Sequence, residues 1–174
     1  GTQARDAVLV FGLPTPPEPD AVPSHAQLQV HANKRYAKFD CDLYAIGYTD
    51  TASAKILEYH ANPTPGPDVV KLQDTLLDET LPSVNETGDY LPYTSSLATG
   101  LSAHLRQFYA ENPGYTGGKF IHLRINPNIH TPVGTAFYRV RMANDPAQAP
   151  ELKLAWEEPP VEDRGYYRVR MDYR

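Results

Sequence analysis

Ala26-Gln27-Leu28-Gln29-Val30-His31-Ala32 is the stretch on which the reading of this chain turns. Its apolar residues fall at every second position, the period of a strand with one face on a core and the other toward water. The same alternation returns at Ala37, Phe39, Cys41 and Leu43, set against Tyr36, Lys38, Asp40 and Asp42. It returns again at Ile121, Leu123 and Ile125 around His122 and Arg124, at Tyr138, Val140 and Met142 around Arg139 and Arg141, and at Leu152, Leu154 and Trp156 with Lys153 and Glu157. Each segment predicts a half-buried antiparallel strand. Asp6 to Phe11 and Ala54 to Tyr59 predict two more, with less regular alternation.

Between these segments the chain is broken repeatedly by proline and glycine. Pro14-Thr15-Pro16-Pro17-Glu18-Pro19, Pro63-Thr64-Pro65-Gly66-Pro67, Asn112-Pro113-Gly114 and Asn126-Pro127-Asn128 fix φ or remove a backbone donor, which ends regular elements. One segment follows a different period. Leu97, Leu101, Leu105 and Phe108 recur at helical spacing, with Thr94 or Ser95 as a cap and Asn112-Pro113-Gly114 as a stop. The expectation is an all-β fold: a β-sandwich, jelly-roll-like, of eight or nine strands with one inserted amphipathic helix at about residues 95–111. The helix should cover an open end or edge.

A length of 174 residues suits one domain with a real core, so 1–174 is read as a single domain, with 158–174 as an extra strand or a connection to a neighbouring domain. The 16 Lys+Arg against 21 Asp+Glu give a net charge of −5. That balance argues against a dedicated nucleic-acid binder, so no nucleic acid is expected as partner. No apolar run approaches the roughly 18 residues that read as a membrane-spanning helix, and no membrane is expected as partner. The lone Cys41 allows no internal disulfide and reads as a buried structural thiol. No charged segment followed by an apolar one opens the chain, so an exported protein would be a processed form.

Patterns that carry chemistry are sparse. There is no Gly-x-Ser-x-Gly elbow, and Gly114-Tyr115-Thr116-Gly117-Gly118 lacks the lysine and hydroxyl positions of a phosphate loop. Asp40 and Asp42 share a strand face at i and i+2, where two solvated acids are the ordinary outcome. His25, His31, His60, His104, His122 and His130 show no ligand spacing for zinc and read as scattered surface or rim residues. Asn85-Glu86-Thr87 fits the N-glycosylation pattern. A structural calcium would take its oxygens from Asp50, Asp74, Asp89 or Asn144-Asp145, and no cofactor is implied. No catalytic residue is assigned.

Tyr138-Arg139-Val140-Arg141-Met142 and Tyr167-Arg168-Val169-Arg170-Met171 are identical at five positions. Two strands of this code on one sheet would set Arg139, Arg141, Arg168 and Arg170 in a basic plate, and guanidinium forks match carboxylate and sulfate groups. Twelve tyrosines add planar, amphipathic contact area suited to sugar rings. Tyr36, Tyr44, Tyr48, Tyr90, Tyr93, Tyr109, Tyr115 and Tyr166 are the candidates by type, whereas Trp156 alternates with Leu152 and Leu154 and reads as core. The ligand-binding residues expected from this pattern are Lys34, Arg35, Tyr36, Lys38, Arg139, Arg141 and Lys153; a solvated charged face is the competing reading for each.

The order of segments resembles that of the DNRLR-type β-sandwich modules, carbohydrate-binding module family 96. Tyr36-Ala37-Lys38-Phe39-Asp40 is similar to that family's early strand, and Ala52-Ser53-Ala54-Lys55-Ile56 to the one after it. Leu72-Gln73-Asp74 and Leu77-Asp78-Glu79-Thr80-Leu81 resemble a further stretch in which a tryptophan is usual near Leu77. Tyr138 to Ala143 and Ala149 to Leu154 resemble the closing strands, with Met142 in place of an acidic residue. The resemblance spans about residues 6–157. It implies a secreted or cell-surface, non-catalytic module that binds an acidic (uronic-acid or sulfated) polysaccharide, alginate among them. A covalently linked catalytic domain in a larger parent chain would be its second partner. The alternatives are a structural or adhesive β-sandwich of a surface or virion protein without a sugar site, and, third, a small polysaccharide lyase assembling Tyr, His and Arg from distant strands.

Overall fold

In the alternating segment around Leu28, Ala26, Leu28 and Val30 are buried and Gln27 and Gln29 lie on the opposite face of one long strand. The computed structural model describes residues 7–36, 40–53, 70–77, 89–94, 100–127, 137–140 and 149–157. Among them are β1 (Ala7–Gly12), β2 (Pro23–Tyr36), β3 (Cys41–Thr49), β4 (Val70–Leu77), β5 (Asp89–Thr94), α1 (Gly100–Glu111), β6 (Phe120–Pro127), β7 (Phe137–Val140) and β8 (Glu151–Trp156). The fold is strand-rich, with antiparallel sheets and one short helix. The expected strand at Ala54 to Tyr59, together with Leu97 and residues 158–174, lies outside the described residues.

The first sheet runs β1-β6-β3-β4 and the second is built on β2. β5 pairs Gln27 to Ala32 on one side of β2, whereas β8 pairs Pro23 to Gln29 and β7 pairs Ala32 to Tyr36. Gln27 to Gln29 are shared by β5 and β8, and Ala32 by β5 and β7, so β7 and β8 lie end to end along the other side of β2. One hydrophobic cluster joins both sheets and the helix: Leu9 from β1, Ala26, Leu28 and Val30 from β2, Leu43 and Ala45 from β3, Leu72 from β4, Ile121, Leu123 and Ile125 from β6, and Leu101, Leu105 and Phe108 from α1.

Register shifts interrupt the pairing in both sheets, and two of them bear on the residues considered below. In β2 the shift between Ala32 and Lys34 inserts one residue relative to β7, so Lys34 opposes Arg139 where unbroken pairing would have opposed it to Tyr138. Of the segment read as a strand from Ala37, residues 37–39 lie outside the described residues. β2 continues through Tyr36, and β3 begins only at Cys41. In β3 the shift falls between Ala45 and Gly47, and Gly47 takes φ 137°, a conformation that side chains disfavour. Past this point Tyr48 turns into the core side, stacking on Phe108 with centroids 4.3 Å apart.

α1 fills the space where β5 stops. Along this side no strand among the described residues pairs with Ala26, and Ser102 of α1 supplies the hydrogen bonds: its Oγ accepts from the Ala26 N–H at 2.9 Å and donates to the Ala26 carbonyl at 3.4 Å. The helix ends at Glu111; the side chain of Asn112 donates to the Phe108 carbonyl at 2.7 Å, and Gly114 follows at φ 71°. The proline-rich loop after β1 offers carbonyls without matching donors, and α1 and its exit use them. Gly114 N–H donates to the Pro19 carbonyl at 2.7 Å, and the Tyr109 hydroxyl to Pro14 at 2.8 Å. Ser102→Ala is expected to leave both backbone groups of Ala26 unpaired in a buried position and to cost about 1–3 kcal/mol. Urea denaturation checks this; a midpoint equal to wild type would mean that water replaces the hydroxyl.

Candidate functional site

On β2, Gln27 and Gln29 define the outer face of the second sheet, opposite the buried Ala26, Leu28 and Val30. β8 extends this face, because Leu152, Leu154 and Trp156 pack against the core while Glu151 and Lys153 are exposed. Lys153 Nζ donates to Gln29 Oε1 at 2.9 Å and pairs with Glu151 Oε2 at 3.0 Å, and Gln29 Nε2 donates to Gln27 Oε1 at 3.3 Å. The surface here is a hydrogen-bonded group of two amides and two charged side chains, Gln27, Gln29, Lys153 and Glu151.

Further along β2 the register opposes Lys34 to Arg139, Arg35 to Tyr138 and Tyr36 to Phe137. Five of the seven expected binding positions, Lys34, Arg35, Tyr36, Arg139 and Lys153, therefore lie on strands of the second sheet. Lys38 and Arg141 lie outside the described residues. Unbroken pairing from Ala32 would have opposed Lys34 to Tyr138; no local signal in Ala32-Asn33-Lys34 announces the shift.

The other concentration of polar groups was not expected. Asp42, predicted as a solvated acid, is 2% exposed, and Arg124, predicted to face water, is 0% exposed. Both lie on the face of the first sheet that turns away from the core, because β3 opposes Asp42 to Asn126 and Tyr44 to Arg124. Lys71, entering from β4 opposite Tyr44, pairs with Asp42 Oδ2 at 2.7 Å. The Tyr44 hydroxyl donates to the same oxygen at 3.3 Å, and the Arg124 guanidinium lies 5.5 Å from the Tyr44 ring centroid. Burial first, and then the Asp42 charge, raise the Tyr44 phenol above its ordinary pKa, so it remains a hydroxyl donor. β3 and β6 are consequently buried on both faces, where the alternation had predicted half-buried strands.

His122 corrects the reading of the histidines as surface residues. It is 2% exposed, and its Nε2 lies 2.7 Å from Thr49 Oγ1 and 3.3 Å from the Thr51 carbonyl. Tyr44, His122 and Arg124 thus occur on one sheet face, the residue types the lyase reading requires, but all three are buried and the Tyr44 hydroxyl is committed to Asp42. Of the tyrosines considered for sugar stacking, Tyr44 belongs to this buried layer. Tyr48, Tyr109 and Tyr115 join Phe108 and Trp156 in an aromatic cluster at the core, with Tyr109 edge-on to Trp156 at 4.9 Å. Trp156 is a core residue, and Cys41 is buried.

Among the described residues no group of three or more His, Cys, Asp or Glu side chains could hold a metal ion. Of the oxygens considered for calcium, Asp50 pairs with Lys119 at 2.5 Å, Asp74 and Asp89 sit on β4 and β5, and Asn144-Asp145 lie outside the described residues. No helix among the described residues is long and apolar enough to cross a membrane. No family model matches this chain, and no curated protein matches it.

Proposed function

We propose that the protein is a non-catalytic binding module whose second sheet recognises an acidic polysaccharide through its outer face. The observation that carries the reading is the register of β2 against β7, which opposes Lys34 to Arg139 in the sheet that also carries Lys153 and Gln29. Two cationic positions directly opposed repel each other, and an anion between them relieves that repulsion. A guanidinium matches a carboxylate or sulfate with two parallel hydrogen bonds, and the neighbouring amides suit sugar hydroxyls. The resemblance to the carbohydrate-binding modules points to the same ligand class. It also favours a secreted or cell-surface setting and a linked catalytic domain, whose effective concentration at the substrate the module would raise. A β-sandwich of jelly-roll type is the architecture we assign to the domain, supported by the single core drawn from both sheets.

A structural or adhesive domain without a sugar site is the second reading. It is favoured by Glu151, which pairs with Lys153 and removes part of the positive field.

Affinity electrophoresis against alginate, pectin, sulfated glycans and neutral controls distinguishes the two. Retention by an acidic glycan that weakens with salt is expected. Replacing Lys34 and Arg139 by alanine together is expected to reduce affinity by roughly 10- to 100-fold, the loss of one or two charge-assisted hydrogen bonds. Absence of retention by every acidic glycan, or retention indifferent to the double substitution, sinks the binding reading.

A further inference from the structure

We propose that α1 is a strap over the open edge of β2, and that protonation of His104 releases it. The edge is defined by the pairing among the described residues: β5 covers Gln27 to Ala32, and beyond it the backbone groups of Ala26 meet Ser102 of the helix and the Pro23 carbonyl accepts from Arg106. Loss of the helix therefore uncovers a strand edge, a surface on which another extended chain can pair.

Two residues along α1 from Ser102, His104 holds the helix to the first sheet. Its imidazole lies flat on the Tyr48 ring of β3, with centroids 5.3 Å apart and planes 9° from parallel. The Tyr48 hydroxyl donates to the backbone carbonyl of His104 at 3.4 Å. The ring nitrogen Nε2 is buried and has no hydrogen-bond partner. A neutral imidazole tolerates this position as one weakly satisfied nitrogen. An imidazolium would place an N–H donor and a positive charge where no acceptor lies, which drives the ring toward water.

Among the described residues the charged surroundings give no compensating anion at the ring. Glu111, on the same helix, favours the cation through its field, but it is exposed and accepts from Gln107 Nε2 at 2.8 Å. From β3 the facing titratable group is the Tyr48 phenol, which burial holds protonated far above neutral pH. On the β2 side Glu157 is paired with Arg106, and on β4 Lys71 is paired with Asp42. Burial outweighs Glu111 and lowers the His104 pKa below 6.5. The neutral ring is thus the form the fold prefers. Its stabilisation is complete above the unfolded value and is lost as pH falls from there through the lower folded value.

Amide exchange at pH 7 and pH 5, the range in which histidine changes charge, tests the strap. Protection factors, corrected for the intrinsic pH dependence of exchange, are compared at α1, at Ala26 and at β6 as an internal reference. Protection is expected to fall together at α1 and Ala26 on acidification while β6 holds. In His104→Phe, which keeps a stacking ring without a proton, the two pH values should agree. Equal acid loss in His104→Phe, or none in wild type, overturns the proposal. Independently of the variant, an imidazole NMR titration of wild-type His104 with a midpoint at or above the ordinary histidine value overturns it as well.

Discussion

Asp42→Ala is expected to destabilise the protein by about 3–5 kcal/mol, the cost of leaving buried charge without its counter-charge. Lys71, which is half exposed, can swing its ammonium into water when its partner is lost, so the greater part of the penalty falls on the buried groups around Asp42. Arg124, fully buried, is one diagonal step from Asp42 across the β3–β6 ladder and shares this layer. Tyr44 also loses the acceptor of its hydroxyl. For a chain of this length the loss corresponds to a fall in melting temperature of roughly 6–20 °C.

The double variant Asp42→Ala/Arg124→Met separates charge from packing. Removing both charges and restoring apolar volume should recover a large part of the loss, because an ion cluster replaced as a whole costs far less than one broken in half. Chemical denaturation of the two variants decides the matter. A loss below about 0.5 kcal/mol for Asp42→Ala is what a solvated surface acid gives, and it would return Asp42 to the surface role its alternating pattern implied.

Leu28→Ala is the second large effect, about 2–5 kcal/mol. Leu28 is fully buried at a point where β2 is paired on both sides, to Tyr93 in β5 and to Leu152 in β8. The truncated side chain leaves a void that strands held on two sides cannot close, so the cavity cost adds to the lost burial. Gln27→Ala, next to it on the outer face, should change stability by no more than about 0.5 kcal/mol. If the two substitutions cost the same in urea denaturation, the inward and outward faces of β2 have been assigned wrongly.

The strands were legible because alternation is a local property. Ala26, Leu28 and Val30, Ile121, Leu123 and Ile125, and Leu152, Leu154 and Trp156 all turn to the core as their period implies. The helix was legible for the same reason, with Leu101, Leu105 and Phe108 buried and the Asn112-Pro113-Gly114 stop in place. Asp42 and Arg124 were misread because alternation records only that two faces differ. A buried polar layer and a wetted surface give the same period, and only the residues opposed across β3 and β6 distinguish them.

The opposition of Lys34 to Arg139 was beyond sequence reasoning for another reason. One inserted residue between Ala32 and Lys34 shifts every later pairing of the strand, and that insertion exists only relative to β7. Chain composition and periodicity by themselves determined a strand-rich protein with one amphipathic helix and named most of its core. Which polar residues are buried, which basic positions meet, and which stretch of β2 the helix seals were decided by tertiary pairing. A strand's period is written in its own residues, whereas its register depends on partners distant in the chain.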